Sequence, residues 1–142
     1  MADKYDVLKL ENQLCFPLYA ASREVVKRYH PFLSELDITY TQYVVLMVLW
    51  EDRAVSVKTL GEKLHLDSGT LTPLLKGLEK KGFVTRRRSQ EDERFLLVEI
   101  TDEGMALRDK ALEIPAKMAG CVSLTSNEAA ELYRILYKLL GK

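Results

Sequence analysis

LDSGTLTPLLKGLEKKGFVTRRRSQEDERFLLVEITDEG, residues 66–104, changes its hydrophobic period midway. Leu71, Leu74, Leu75 and Leu78 recur at helical spacing and form one apolar stripe, behind a cap at Asp67 or Ser68. Pro73 is expected close enough to the helix start to be tolerated, and Gly82 is a natural stop. From Phe83 the pattern becomes that of strands. FVTRRR and FLLVEIT read as two short strands joined by the polar turn SQEDER.

Upstream, Ser56 is expected to cap a short helix, VKTLGEKLH. Before it, TYTQYVVLMVLWED, from Thr39, has an almost wholly apolar middle and should lie in the core. Leu10, Leu14 and Leu18, followed by Val25 and Tyr29, predict a long amphipathic first helix ending before Pro31. Pro17 leaves two alternatives: a start near Phe16 or a bend beside Cys15. Downstream, Thr101 caps a helix beginning DEGMALRDKALEI and running to Pro115. Ser126 with Glu128 starts the last, NEAAELYRILYKLL, with a stripe of Leu132, Ile135, Leu136, Leu139 and Leu140. That stripe needs a partner, and a two-fold homodimer is the common solution.

The expected fold is therefore mostly α with a small β hairpin, a winged helix-turn-helix. One domain spans 1–142: about 1–38 and 102–142 supply dimerisation helices, and 39–101 the winged helix. No apolar run approaches the ~20 residues of a membrane helix. The N-terminus MADKYDVLKLENQ is too polar for a secretory signal, so the expected location is cytoplasmic, with no membrane partner. Cys15 and Cys121 are too few for a zinc site, and His30 and His65 read as isolated helix-end or surface residues. We expect no metal, no cofactor and no catalytic residues.

The 21 basic and 21 acidic side chains balance, which alone argues against a nucleic-acid partner. Distribution decides the matter, because phosphates meet one face. Residues 76–88, KGLEKKGFVTRRR, hold six basic residues against one acidic. Two helices joined by a tight turn make a major-groove reader, and the small polar residues Ser68, Gly69, Thr70 and Thr72 open the second. Arginine at a hairpin tip can enter a narrow minor groove, and the hairpin carries Arg86, Arg87, Arg88 and Arg94. With Pro73, Lys76 and Asp92 these complete the expected DNA-facing set, apart from Arg87. The expected partner is double-stranded DNA bearing a pseudo-palindromic operator. A solvated basic helical face is the plainer alternative.

Residues 66–104 resemble the recognition helix and wing of MarR-type regulators, whose wing signature is the DER ending at Arg94 followed by a strand and Thr-x-x-Gly. LENQLCFPLYAASREVVKRY together with TYTQYVVLMVLWE resembles the organic-hydroperoxide-sensing, OhrR-like branch. Pro17 departs from the apolar, non-proline residue usual there. The resemblance implies a repressor that releases DNA when an organic hydroperoxide oxidises Cys15.

Tyr19 lies one turn from Cys15 and shares its helix face. Tyr29 has a similar angular phase but lies ~21 Å along a straight helix. Either the chain folds back, or a second subunit supplies Tyr29. The resemblance favours the second, with Tyr29 and Tyr40 of one subunit approaching Cys15 of the other. Phenolic hydrogen bonds favour a thiolate, which a peroxide converts to a sulfenic acid. The resemblance also offers Cys121 as a resolving thiol, with capping by a small cellular thiol as the alternative. Two further functions compete: a MarR-type regulator answering to a small aromatic acid, and a cysteine peroxidase. The latter usually needs a strand-rich scaffold, so an enzyme is not expected.

Overall fold

A computed structural model describes residues 3–142. They form two compact units, one running to Leu112 and one from Glu113 to Lys142.

The first unit begins with two 3-10 turns, Lys4–Leu8 and Leu10–Asn12. The Asn12 amide donates to Asp6 O (2.7 Å), and the Gln13 amide to Val7 O (2.8 Å) and Lys9 O (2.9 Å). Side chains thus occupy carbonyls that a continuing helix would have bonded. α1 (Cys15–Leu33) follows, so Leu10 lies outside it and Leu14 is its N-cap. This corrects the expected helix, and of the two alternatives the start near Phe16 holds. Pro17 is the third helical residue, where its missing N–H costs nothing. The expected stop before Pro31 is also corrected. α1 runs through that proline to Leu33, which is buried, and Ser34 N–H bonds back to His30 O.

α2 (Tyr40–Asp52) starts at a reciprocal cap: Thr39 Oγ1 accepts from Gln42 N–H, and Gln42 Oε1 accepts from Thr39 N–H. It buries Gln42, Tyr43, Val45, Leu46 and Leu49, as its apolar middle predicts. β1 (Ala54–Ser56) leads into α3 (Val57–Leu64), capped by Ser56. α3 ends at His65, in the left-handed region at φ 55°. α4 (Ser68–Lys80) follows, capped by Asp67. The connecting turn is tight, since a Cβ on Gly61 would stand 2.7 Å from Leu66 O.

β2 (Val84–Arg88) and β3 (Leu96–Ile100) form the expected hairpin, but β1 adds a third strand, giving the antiparallel order β1-β3-β2. Val98 pairs with Val55 on one side and Arg86 on the other. α5 (Asp102–Ala111), capped by Thr101, closes the unit. Its core gathers Leu33, Leu46, Leu49, Leu60, Leu71, Leu75, Leu78, Val84 and Val98. Burying each stabilises the unit by about 1.5–3 kcal/mol before chain entropy is charged against it.

In the second unit, α6 (Ile114–Cys121) has Pro115 in its first turn, so the helix expected to run to Pro115 instead stops at Ala111 and a new one begins. α7 (Ser126–Leu139) starts from a reciprocal cap between Thr125 and Glu128, one residue earlier than expected. α7 buries no residue in the single chain. Leu132, Ile135, Leu139 and Leu140 are all exposed.

Candidate functional site

The apolar stripe of α4 faces inward and leaves the opposite face to solvent. Ser68, Gly69, Thr70, Thr72, Pro73 and Lys76 are all exposed, while Leu71, Leu75 and Leu78 are buried. Asp67 Oδ1 accepts from Thr70 N–H at 2.8 Å, and this bond holds the Asp67 carboxyl below the usual carboxylate range. Thr72 donates its hydroxyl to Ser68 O (2.8 Å), so the oxygen's lone pairs remain to accept from a ligand. Pro73 is the sixth residue of the helix, the place that a cap at Asp67 gives it, and the helix accommodates it. Having no N–H, it leaves the Gly69 carbonyl without its helical partner.

The loop between β2 and β3 folds on itself. Ser89 N–H bonds Phe95 O (2.8 Å), and Phe95 N–H bonds Asp92 O (3.0 Å). The Asp92 carboxylate receives Arg94 N–H (3.1 Å), Nε (3.0 Å) and Nη2 (2.8 Å). The Arg94 guanidinium holds the Asp92 carboxyl below its ordinary range. The Arg94 side chain is nevertheless 87% exposed. The wing thus presents a cation whose direction is set by its own carboxylate. Arg88 is exposed at the end of β2, and Arg87 lies 3.5 Å from Glu99. Arg86 is turned inward against Glu79 of α4, with Nη2 to Oε1 at 3.1 Å. Glu79 is a participant that sequence reasoning missed.

Cys15 is the first residue of α1 and is exposed. Tyr19 follows one turn on, with the Arg23 guanidinium 5.5 Å from its ring centre. Tyr29, near the other end of α1, lies 4.8 Å from Tyr40, ring centre to ring centre. Tyr43 joins them at 5.9 Å from Tyr29 and 6.3 Å from Tyr40, and Trp50 meets Tyr43 edge-on at 6.2 Å. Burial pushes the pKa values of Tyr29, Tyr40 and Tyr43 up, so these phenols stay protonated donors. The structure therefore unites Tyr29 with Tyr40 but not with Cys15 of the same chain, from which α1 separates it by fourteen residues. Tyr43 was missed; its signal was the spacing of three from Tyr40 on one helix face. Cys121 is exposed at the end of α6, in the other unit from Cys15.

Among the described residues no group of three or more His, Cys, Asp or Glu side chains could hold a metal. No single helix among them is long and apolar enough to cross a membrane.

Residues 27–111 match the family model of the SarA/Rot transcriptional regulators. The chain is 50% identical over 140 residues to the organic hydroperoxide resistance transcriptional regulator of Bacillus subtilis, covering 99% of this chain and 95% of that protein. It is similar to overoxidized AbfR bound to DNA, AbfR being a Staphylococcus epidermidis protein, with 36% identity, 98% of each chain covered and a TM-score of 0.79. A mutant MarR from Escherichia coli complexed with operator DNA is 26% identical, covering 98% of this chain and 99% of that one, with a TM-score of 0.79.

Proposed function

Because this chain belongs to the MarR-type family of winged-helix transcriptional regulators, in its organic-hydroperoxide-regulator branch, we propose that it is a dimeric DNA-binding repressor switched by oxidation of Cys15. One observation carries the reading. An exposed polar face on α4 stands beside a wing that holds Arg94 out on the Asp92 carboxylate. α4 enters the major groove, where Ser68, Thr70, Thr72 and Lys76 meet base edges and phosphates, and Gly69 and Pro73 allow close approach. Arg94, with Arg88 nearby, reaches the flanking minor groove. Binding falls steeply with salt as neutralised phosphates release counterions.

The switch is stoichiometric chemistry at one sulfur. The Cys15 thiolate attacks the terminal oxygen of an organic hydroperoxide, forming an S–O bond as the O–O bond breaks. The alkoxide leaves, takes up a proton and departs as the alcohol. Two electrons pass from sulfur, which becomes a sulfenic acid. Tyr19 of the same subunit and Tyr29 and Tyr40 of the partner subunit donate to the thiolate. The new oxygen breaks that arrangement and changes the spacing of the two α4 helices. A palindromic site tolerates little such change. Cys121, or a small cellular thiol, then condenses with the sulfenic acid and water leaves. Action on DNA places the protein in the cytoplasm, and the reading makes it a regulator rather than an enzyme.

The test is a binding titration with a duplex that the unmodified protein has selected from a random-sequence pool, with and without cumene hydroperoxide. The native protein releases the duplex, while Cys15→Ser binds it equally well and keeps it. Release by Cys15→Ser refutes the sensor. Steady, rapid peroxide turnover with reductant present, without release of the duplex, would make the protein a peroxidase instead.

A second reading has an observation of its own. A cleft of about 490 Å³ beside Tyr40 has Leu33 and Ile38 in its floor and Lys27, His30, Asp37 and Lys81 around it, with Lys81 Nζ also donating to Asp37 O and Gln42 Oε1. That combination suits a small aromatic acid. Salicylate displacing DNA from Cys15→Ser would support it.

A further inference from the structure

Arg86 occupies a position that β alternation turns toward the core. Val84, two residues before it, is buried, and so is its cross-strand partner Val98. The Arg86 side chain is only 19% exposed. Its Nε is buried with no hydrogen-bond acceptor, and its Nη2 donates to Glu79 Oε1. An arginine held this way has little to offer a phosphate.

Its partner explains the placement. Glu79 lies in the last turn of α4, whose first turns carry the exposed DNA-facing residues. The chain passes from α4 to β2 through only Lys81, Gly82 and Phe83, and Gly82 sits at φ 82° with nothing within 4 Å of where a Cβ would stand. That link is short, and its own bonds hold it to α4: Gly82 N–H to Glu79 O and Phe83 N–H to Leu78 O, each 3.0 Å. The Arg86–Glu79 pair ties helix to strand on the far side of it. Its one Nη2–Oε1 hydrogen bond adds a directional, charge-assisted contact to the apolar packing of Leu78 against the same strand.

We propose that Arg86 and Glu79 are positioning residues: their ion pair fixes the wing against the recognition helix, so that Arg94 and the exposed face of α4 engage one duplex together. This rests on the DNA-binding reading above. It moves Arg86 from the surface that touches DNA to the frame that holds that surface.

The two roles predict opposite signs for Glu79→Gln. If Arg86 contacted phosphate, removing a nearby negative charge and freeing the guanidinium would tighten binding. As a tie, its loss lets the wing drift. The experiment uses the same pool-selected duplex, with hydroxyl-radical footprinting beside the titration. Glu79→Gln is expected to weaken binding about 3- to 10-fold. Minor-groove protection under the wing should fade while the half-site protection by α4 remains. Arg86→Gln should do the same, and the double variant should be no worse than Arg86→Gln alone. Unchanged or tighter binding by Glu79→Gln, or full wing protection in that variant, overturns the assignment. A native protein that selects no duplex overturns the DNA-binding reading itself, before either variant is made.

Discussion

Trp50 Nε1 donates to the Gly104 carbonyl at 2.9 Å, joining α2 to the first turn of α5 across 54 residues of chain. The bond continues the aromatic series that runs from Tyr29 and Tyr40 through Tyr43. Trp50→Phe keeps most of the ring and removes the donor. It should lower unfolding stability by about 1 kcal/mol, read as a shift in urea midpoint at unchanged slope.

Gly104 itself tolerates no side chain. A Cβ there would stand 2.2 Å from Phe83 O and 2.8 Å from Ile100 Cγ1. The crowding is tightened by Thr101, which donates its hydroxyl to Gly82 O (2.6 Å) and its N–H to Phe83 O (3.0 Å). Gly104→Ala must push α5 off Phe83, just before β2, and off Ile100, at the end of β3. We expect a loss of about 3 kcal/mol or more, seen as a lowered thermal midpoint.

The features legible in the sequence were those carried by local chemistry. Ser56 and Thr101 cap the helices as expected, and Asp67 is the one of its two candidates that does, because a cap is a bond between residues three apart. The exposed face of α4 follows from its leucine period in the same way. What escaped was non-local or too short. β1 has three residues and exists through pairing with β3, forty residues on. Leu10 mimicked a helical repeat whose carbonyls Asn12 and Gln13 had already claimed. Glu79 escaped because its partner, Arg86, lies on another element.

The titration of Asp92 should report its contact with Arg94, which stays charged throughout. The carboxyl lies below its ordinary range because of Arg94, so its contribution to the wing is present above the unfolded pKa and is lost as pH falls through the depressed folded value. Arg94→Ala should return the Asp92 midpoint toward that of an ordinary aspartate, by NMR titration. The same variant should bind DNA sharply more weakly and with a shallower salt dependence. Unchanged affinity would remove Arg94 from the interface.

The tyrosine cluster, half-buried at Tyr29 and Tyr40 and buried at Tyr43, gives a signature at the opposite end of the pH scale. Burial raises the phenol pKa values of Tyr29, Tyr40 and Tyr43. Their contribution is complete below the unfolded tyrosine pKa and is lost as pH rises through the higher folded values. Ultraviolet titration should show a late-ionising class that Tyr29→Phe and Tyr40→Phe each reduce. A single ionisation at the ordinary tyrosine value would mean that the cluster is open to water.

Ile135, on α7, tests the dimer. In the single chain it is 46% exposed, between Leu132 and Leu139, on a helix that buries nothing. A stripe of that kind is soluble only when a partner covers it. A two-fold axis would place each such residue in the interface twice, so one substitution is felt twice. Ile135→Asp removes an apolar side chain and adds a charge that burial penalises. At about 1.5 kcal/mol or more per copy, the dimer should weaken by at least about 100-fold. Sedimentation at micromolar concentration should find monomer for Ile135→Asp and dimer for the native chain. Operator affinity should fall with it, because two half-sites read by separate monomers lose their linkage. A variant that stays dimeric would place the subunit interface elsewhere on the chain.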